Sequence, residues 1–124
     1  MCGIGGLIKN RELNKEEKFL FIETIKKHCS RGDSAIGIFG QDFLYKDLNP
    51  INFKKIEQRI NNLETNFLFF HVRSPTGGSE NIIENTHPFI SKDFILAHNG
   101  ILFNWQELND KFNLEANMDS KVII

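Results

Sequence analysis

The sequence is short of several things that would have pointed elsewhere. It has only two cysteines, Cys2 and Cys29, enough for one disulfide at most, which excludes a stapled secreted scaffold and leaves each thiol to be judged singly. It has no excess of charge: 15 Lys+Arg against 16 Asp+Glu give a net charge of -1, so no global field draws the chain onto nucleic acid or an anionic bilayer. It has no long apolar run, since segments such as FLFF fall far short of the roughly 20 residues a membrane-spanning helix needs. Met1-Cys2-Gly3 opens no cationic, signal-like segment. Metal-ligand spacing is missing too, because His28, Cys29, His71, His87 and His98 form neither C-x2-C nor H-E-x-x-H. The glycines of CGIGGL lack a preceding strand and a full G-x-G-x-x-G pattern, which removes a dinucleotide site. No repeat, linker or low-complexity tract interrupts the chain. What remains is 124 residues with 40% hydrophobic and 25% charged side chains, the composition of one globular domain over 1–124 with a real core, expected in the cytoplasm.

The pattern along the chain predicts mixed α and β structure. Residues 2–9 (CGIGGLIK) read as a buried strand whose glycines let other groups approach the backbone closely. Asn14 and Glu17 form a capping-box variant, followed by Phe19, Ile22 and Ile25 at helical spacing up to Arg31-Gly32. AIGIFG (35–40) and DFLYKD (42–47) read as a hairpin turning at Gly40-Gln41. Ile51, Ile56, Ile60 and Leu63 mark a second amphipathic helix, and NFLFFHVR (66–73) a buried strand. Residues 74–89 are rich in Gly, Pro, Ser and Asn, a long loop of the kind that usually carries function. A strand is expected at 93–98, a short helix from Asn104 to Phe112, and a last apolar segment from Asp119.

Cys2 stands where removal of Met1 would make it the first residue, its thiol beside a free α-amine. An α-amine titrates near pH 8 rather than with lysine, so nucleophile and general base would share one residue. Three further segments surround that possibility: Arg31-Gly32-Asp33-Ser34 leads into a strand, His71-Val72-Arg73-Ser74-Pro75-Thr76-Gly77 ends one, and Ala97-His98-Asn99-Gly100 ends another. Asn85-Thr86-His87-Pro88-Phe89 lies between the last two and Asp119-Ser120 after them. Taken singly each has a plain reading: Asn99-Gly100 is a strong hairpin-turn signal, Arg73 a solvated charge at a strand end, and Asp119 a helix N-cap.

Together, in this order, the motifs make the chain resemble the class II glutamine amidotransferases, which are N-terminal-nucleophile hydrolases. The resemblance runs from Cys2 to the end of the sequence. It implies a four-layer αββα sandwich of two antiparallel sheets, short or incomplete at the C-terminus, and hydrolysis of glutamine to glutamate and ammonia without metal or organic cofactor. By the family's pattern Cys2 is the nucleophile, and Asn99 and Gly100 donate the side-chain amide and the backbone N–H of an oxyanion hole. Arg73 grips the substrate carboxylate, with Thr76 nearby, and Asp119 holds its ammonium. Arg31 and Gly32 belong to the segment that positions the N-terminal residue, and His71, His87 and His98 support the site from within these motifs.

The sequence departs from the family in three places. The proline of Arg-Gly-Pro-Asp is missing between Gly32 and Asp33, Ser74-Pro75 stands where many members carry an aromatic residue after the arginine, and Lys121 replaces the acidic residue that often follows the Asp-Ser pair. No synthase segment is present, so the resemblance implies a synthase partner or self-association to use the ammonia. The competing readings are a module that binds glutamine or recruits a synthase without turnover, and an incomplete domain that another chain completes.

Overall fold

The structure is a computed structural model that describes residues 2–30, 34–74 and 82–124. In chain order its elements are β1 (Gly3–Ile8), α1 (Lys15–Cys29), β2 (Ala35–Gly40), β3 (Phe43–Leu48), α2 (Phe53–Asn61), β4 (Phe67–Arg73), β5 (Phe89–Ile90), β6 (Ile95–Leu96) and α3 (Trp105–Phe112). Single turns of 3-10 helix stand at Ile83–Asn85 and Asp119–Val122. The first four strands form an antiparallel sheet in the order β1-β4-β2-β3, and β5 and β6 pair in a second antiparallel ladder. Two antiparallel sheets with three helices agree with the expected αββα class.

The local causes are legible. The capping box at the start of α1 is complete: the Glu17 N–H donates to Asn14 Oδ1 and the Asn14 N–H donates to Glu17 Oε2, both at 2.9 Å. Arg11 clasps the same carboxylate at 2.8 Å, and that bond, with the one from Asn14, lowers Glu17 to about 2. The inward stripe of α1 is Lys18, Phe21, Ile22 and Ile25, spaced i, i+3, i+4, i+7. The expected contribution of Phe19 is corrected: one position round from Lys18, it is 63% exposed. Lys18 lies inside because its stem crosses apolar surface while Nζ donates to the carbonyls of Leu63 at 2.6 Å and Asn61 at 3.4 Å, stopping the C-terminal end of α2.

The pleat sorts β2 and β4 into two faces. Ile36, Ile38, Leu68, Phe70 and Val72 pack with Phe21, Ile22 and Ile25 of α1 and Ile56 and Ile60 of α2 into one buried cluster, with Phe21 meeting Phe70 edge to face at 5.6 Å. The opposite face carries Phe39 stacked on Phe69 at 5.4 Å, then Gly37 and His71. Gly37 has no alternative, because the His87 carbonyl oxygen occupies the place of a side chain. The segment running into β5 therefore lies directly on the sheet.

Four expectations need correction. Strand β1 is an edge strand whose residues alternate between half-buried and exposed, not a buried one, although the close approaches to its glycines are real: a Cβ on Gly3, Gly5 or Gly6 would meet His28, Phe70 or Phe69. The hairpin turns at Gln41 and Asp42, where Asp42 takes φ 51. Of 93–98 only Ile95–Leu96 pair. Asn99-Gly100 is not a hairpin turn, since Ile101 and Leu102 form no strand and bonds from other elements hold the loop instead.

Candidate active site

The pairing of β1 with β4 puts Gly3 opposite Val72, so Cys2 comes to lie beside the end of β4. The Ser74 N–H donates to Cys2 Sγ at 3.5 Å, and the thiol reaches the Ser74 carbonyl at 3.7 Å. The Cys2 carbonyl in turn accepts from the Asn99 side-chain amide at 3.2 Å. Behind Cys2, the His28 ring lies against Gly3, where a Cβ would come within 2.7 Å of His28 Cδ2. The ring is fixed by Nδ1 facing the Thr24 carbonyl at 2.9 Å and by an edge contact with Phe70 at 5.2 Å.

Arg73 closes β4 on the same face as His71. Its backbone carbonyl accepts from the Ser34 N–H at 3.1 Å and the Ser34 hydroxyl at 2.9 Å, while its buried Nη1 has no partner among the described residues. A buried guanidinium nitrogen without an acceptor is a standing invitation to a carboxylate. Asp119 stands in the first turn of its 3-10 helix, but Met118 is the N-cap and makes no side-chain cap bond. The Asp119 carboxylate accepts instead from the Ser120 N–H at 2.7 Å and, through its other oxygen, from the Leu102 N–H at 2.9 Å. A carboxylate has about four lone-pair sites, so acceptor capacity remains.

Three histidines lie between these groups. His71 is fully buried, and Nε2 faces the His98 carbonyl at 3.1 Å, so that nitrogen carries the proton. Burial pushes the His71 imidazole down to about 4, against the opposing pull of that bond. Its ring centroid is 4.2 Å from that of His87, which packs on Phe89 at 4.5 Å. Burial, and then the neighbouring His71 and His98 and Arg73, lower His87 to about 3. Both are neutral at ordinary pH. His98 Nδ1 meets Ser120 Oγ at 3.0 Å. Lys121, the departure from the family's acidic residue, donates to Asn85 Oδ1 at 2.9 Å and lies 5.8 Å from the centre of the Phe89 ring, tying the last turn to the Asn85–Phe89 segment.

Cys2, Asn99, His71, His98 and Asp119 are thus joined through a connected set of bonds, with Arg73 two residues along β4 from His71. Gly100 is exposed beside Asn99. Arg31, Gly32 and Thr76 lie outside the described residues. Sequence reasoning missed the backbone of Ser74 as the thiol's neighbour, Ser34 as the brace of Arg73, and His28 behind Gly3; none of these has a local pattern, because each partnership spans separate elements. Among the described residues no group of three or more His, Cys, Asp or Glu side chains is placed to hold a metal ion, and no described helix is long and apolar enough to cross a membrane. The surface hollow lined by Phe43, Lys55, Gln58, Arg59 and Asn62 contains none of these site residues.

No family model matches the chain. It is 30% identical over 139 aligned residues to the glutamine–fructose-6-phosphate aminotransferase (isomerizing) of Francisella tularensis, covering 99% of this chain and 21% of that protein. It is 28% identical over 141 residues to the amidophosphoribosyltransferase of Haemophilus influenzae, covering 100% of this chain and 26% of the relative. A relative from Methanocaldococcus jannaschii, whose name contains the words asparagine synthetase and glutamine-hydrolyzing, is 31% identical over 132 residues, covering 100% of this chain and 23% of that protein. The chain spans about a fifth to a quarter of the length of the curated relatives it matches.

Proposed function

The chain belongs to the class II glutamine amidotransferase domains, and from that premise we propose that it hydrolyses glutamine to glutamate and ammonia with Cys2 as nucleophile. The observation that carries the reading is the contact set at Cys2: thiol against the Ser74 backbone, carbonyl against the Asn99 amide, and, at the adjoining strand end, the Arg73 Nη1 that has no partner among the described residues.

Glutamine presents an α-carboxylate, an α-ammonium and a side-chain amide. Arg73 takes the carboxylate with two parallel N–H bonds, Thr76 contributes beside it, and Asp119 takes the ammonium. Once Met1 is removed, the Cys2 α-amine accepts the thiol proton and the sulfur attacks the amide carbon. The carbonyl oxygen becomes an oxyanion held by the Asn99 side chain and the Gly100 N–H. The amine then delivers its proton to the departing nitrogen, ammonia leaves, and a thioester between the glutamyl group and Cys2 remains. Water, deprotonated by the same amine, releases glutamate and restores the thiol. Arg31 and Gly32 act on the position of Cys2, and His71, His87 and His98 support the site, the first two as neutral rings.

In the relatives the matched segment is a small part of a longer protein, which supports a synthase partner as the consumer of the ammonia. Exposed apolar side chains support association as well: Phe103 is 91% exposed, Ile90 56% and Phe112 58%, surface that favours a covering partner or a second copy. The single domain over 1–124 and a cytoplasmic setting belong to the same proposal. Ammonia release measured beside calorimetric glutamine binding tests the function. Ammonia formed at a rate dependent on glutamine supports it, whereas saturable binding without ammonia supports the non-catalytic module.

A further inference from the structure

The loop that carries Asn99 and Gly100 has no regular structure and both residues are exposed, yet the residues on either side are gripped. On the N-terminal side the His98 carbonyl is held by His71 Nε2 at 3.1 Å and the His98 ring by Ser120 Oγ at 3.0 Å. On the C-terminal side the Leu102 N–H is held by Asp119 Oδ2 at 2.9 Å. The His98 ring also backs Gly100: a Cβ there would lie 2.8 Å from His98 Nε2. Ser120 is 2% exposed, and its hydroxyl is within 3.3 Å of Asp119 Oδ1 as well. One turn therefore clamps the loop at both ends, and a single buried hydroxyl pins the ring on which Gly100 rests.

We propose that His98 and Ser120 are positioning residues for the oxyanion hole: the bond between His98 Nδ1 and Ser120 Oγ fixes the imidazole under Gly100 and so holds Asn99 and Gly100 where they meet the developing charge. The proposal rests on reading Asn99 and Gly100 as the oxyanion donors. Donors of this kind stabilise the transition state only when they are held in place beforehand, and displacements of about 0.5 Å are enough to weaken them. The same turn carries Asp119, so the group that recognises the substrate ammonium and the loop that stabilises the oxyanion share one rigid support. Ser120 touches neither glutamine nor the reacting atoms; it acts through His98.

A double-mutant cycle in kcat tests this. Ser120→Ala is expected to lower kcat about tenfold while KM for glutamine stays within about twofold, a loss made only in the transition state. In an Asn99→Ala background the same change is expected to lower kcat by no more than about threefold, because one of the two donors it positions is already gone and only the Gly100 N–H remains to be misplaced. Equal tenfold losses in both backgrounds, or a loss confined to KM, would overturn the proposal. Amide NMR signals of Asn99 and Gly100 give a second readout independent of rate: they shift in Ser120→Ala while the Ile56 signal in the core does not. Unmoved Asn99 and Gly100 signals overturn the positioning role. If the parent chain releases no ammonia from glutamine, it is the glutaminase reading that fails, and the NMR comparison still decides whether Ser120 sets the loop.

Discussion

Gly37→Ala puts a methyl group where the His87 carbonyl oxygen stands. The obstacle is backbone, so no rotamer relieves it; either β2 bends out of the sheet or the Asn85–Phe89 segment lifts off. Lifting that segment uncovers Asn85, Thr86, His87 and Phe89, which are at most 6% exposed, and the fully buried His71 beneath them. Overpacking of a well-packed site costs about 1–3 kcal/mol, and re-exposing a buried phenylalanine adds about 1.5–3 kcal/mol. The two are partly alternatives, since strain that stays in place leaves Phe89 covered, and we expect a net loss of about 3 kcal/mol. For a domain of this size that is a fall in Tm on the order of 10 °C. Thermal unfolding followed by circular dichroism measures it, with Gly6→Ala as the comparison. There the methyl meets the Phe69 ring, a half-buried side chain that can turn aside, and the expected cost is under about 1.5 kcal/mol. A Gly37→Ala protein within about 0.5 kcal/mol of the parent would refute the reasoning, because the segment would then not rest on the sheet as described.

Other outcomes follow from the site. Asn99→Ala should lower turnover by about 10²–10³ with little change in glutamine affinity, since its amide serves a charge present only in the transition state, whereas Arg73→Ala should chiefly weaken binding; steady-state kinetics separates the two, and an unchanged rate in Asn99→Ala contradicts the oxyanion assignment. His71 and His87 have folded pKa values of about 4 and about 3, below the ordinary 6.5, so the unfolded chain takes up protons first and stability falls as pH drops from about 6.5 toward 4. Glu17, held at about 2 against 4.5, adds its own loss only below about 4.5. A urea midpoint that stays constant between pH of about 7 and 5 would contradict the burial of the pair. Intact-mass measurement of protein from the natural host should show Met1 absent; an active preparation that quantitatively retains Met1 rules out the α-amine as base.

How much of this was legible depended on the range of the interactions. The α1 cap, the β2–β3 hairpin and the Ile56–Ile60 face of α2 were readable because each is decided within a few residues by capping, turn chemistry or periodicity. The inward turn of Lys18 was not, since its acceptors are the carbonyls of Asn61 and Leu63, more than forty positions away. Asn99-Gly100 misled in the other direction: the dipeptide favours a hairpin locally, but bonds from His71, Ser120 and Asp119 impose a different loop. The candidate site residues were proposed from spaced motifs, and their structural neighbours were not, because Ser74 N–H, Ser34 and His28 contribute backbone, a short hydroxyl and a packed ring that leave no pattern in the order of residues.

The central claim is that the Cys2 thiol carries the chemistry. Rapid-quench intact-mass analysis of the chain mixed with glutamine, with ammonia measured in the same samples, tests it most directly. The account predicts a transient glutamyl adduct confined to the peptide that contains Cys2, appearing together with ammonia, and loss of both in Cys2→Ala. Ammonia production that survives Cys2→Ala, or an adduct on Cys29 instead, would contradict it.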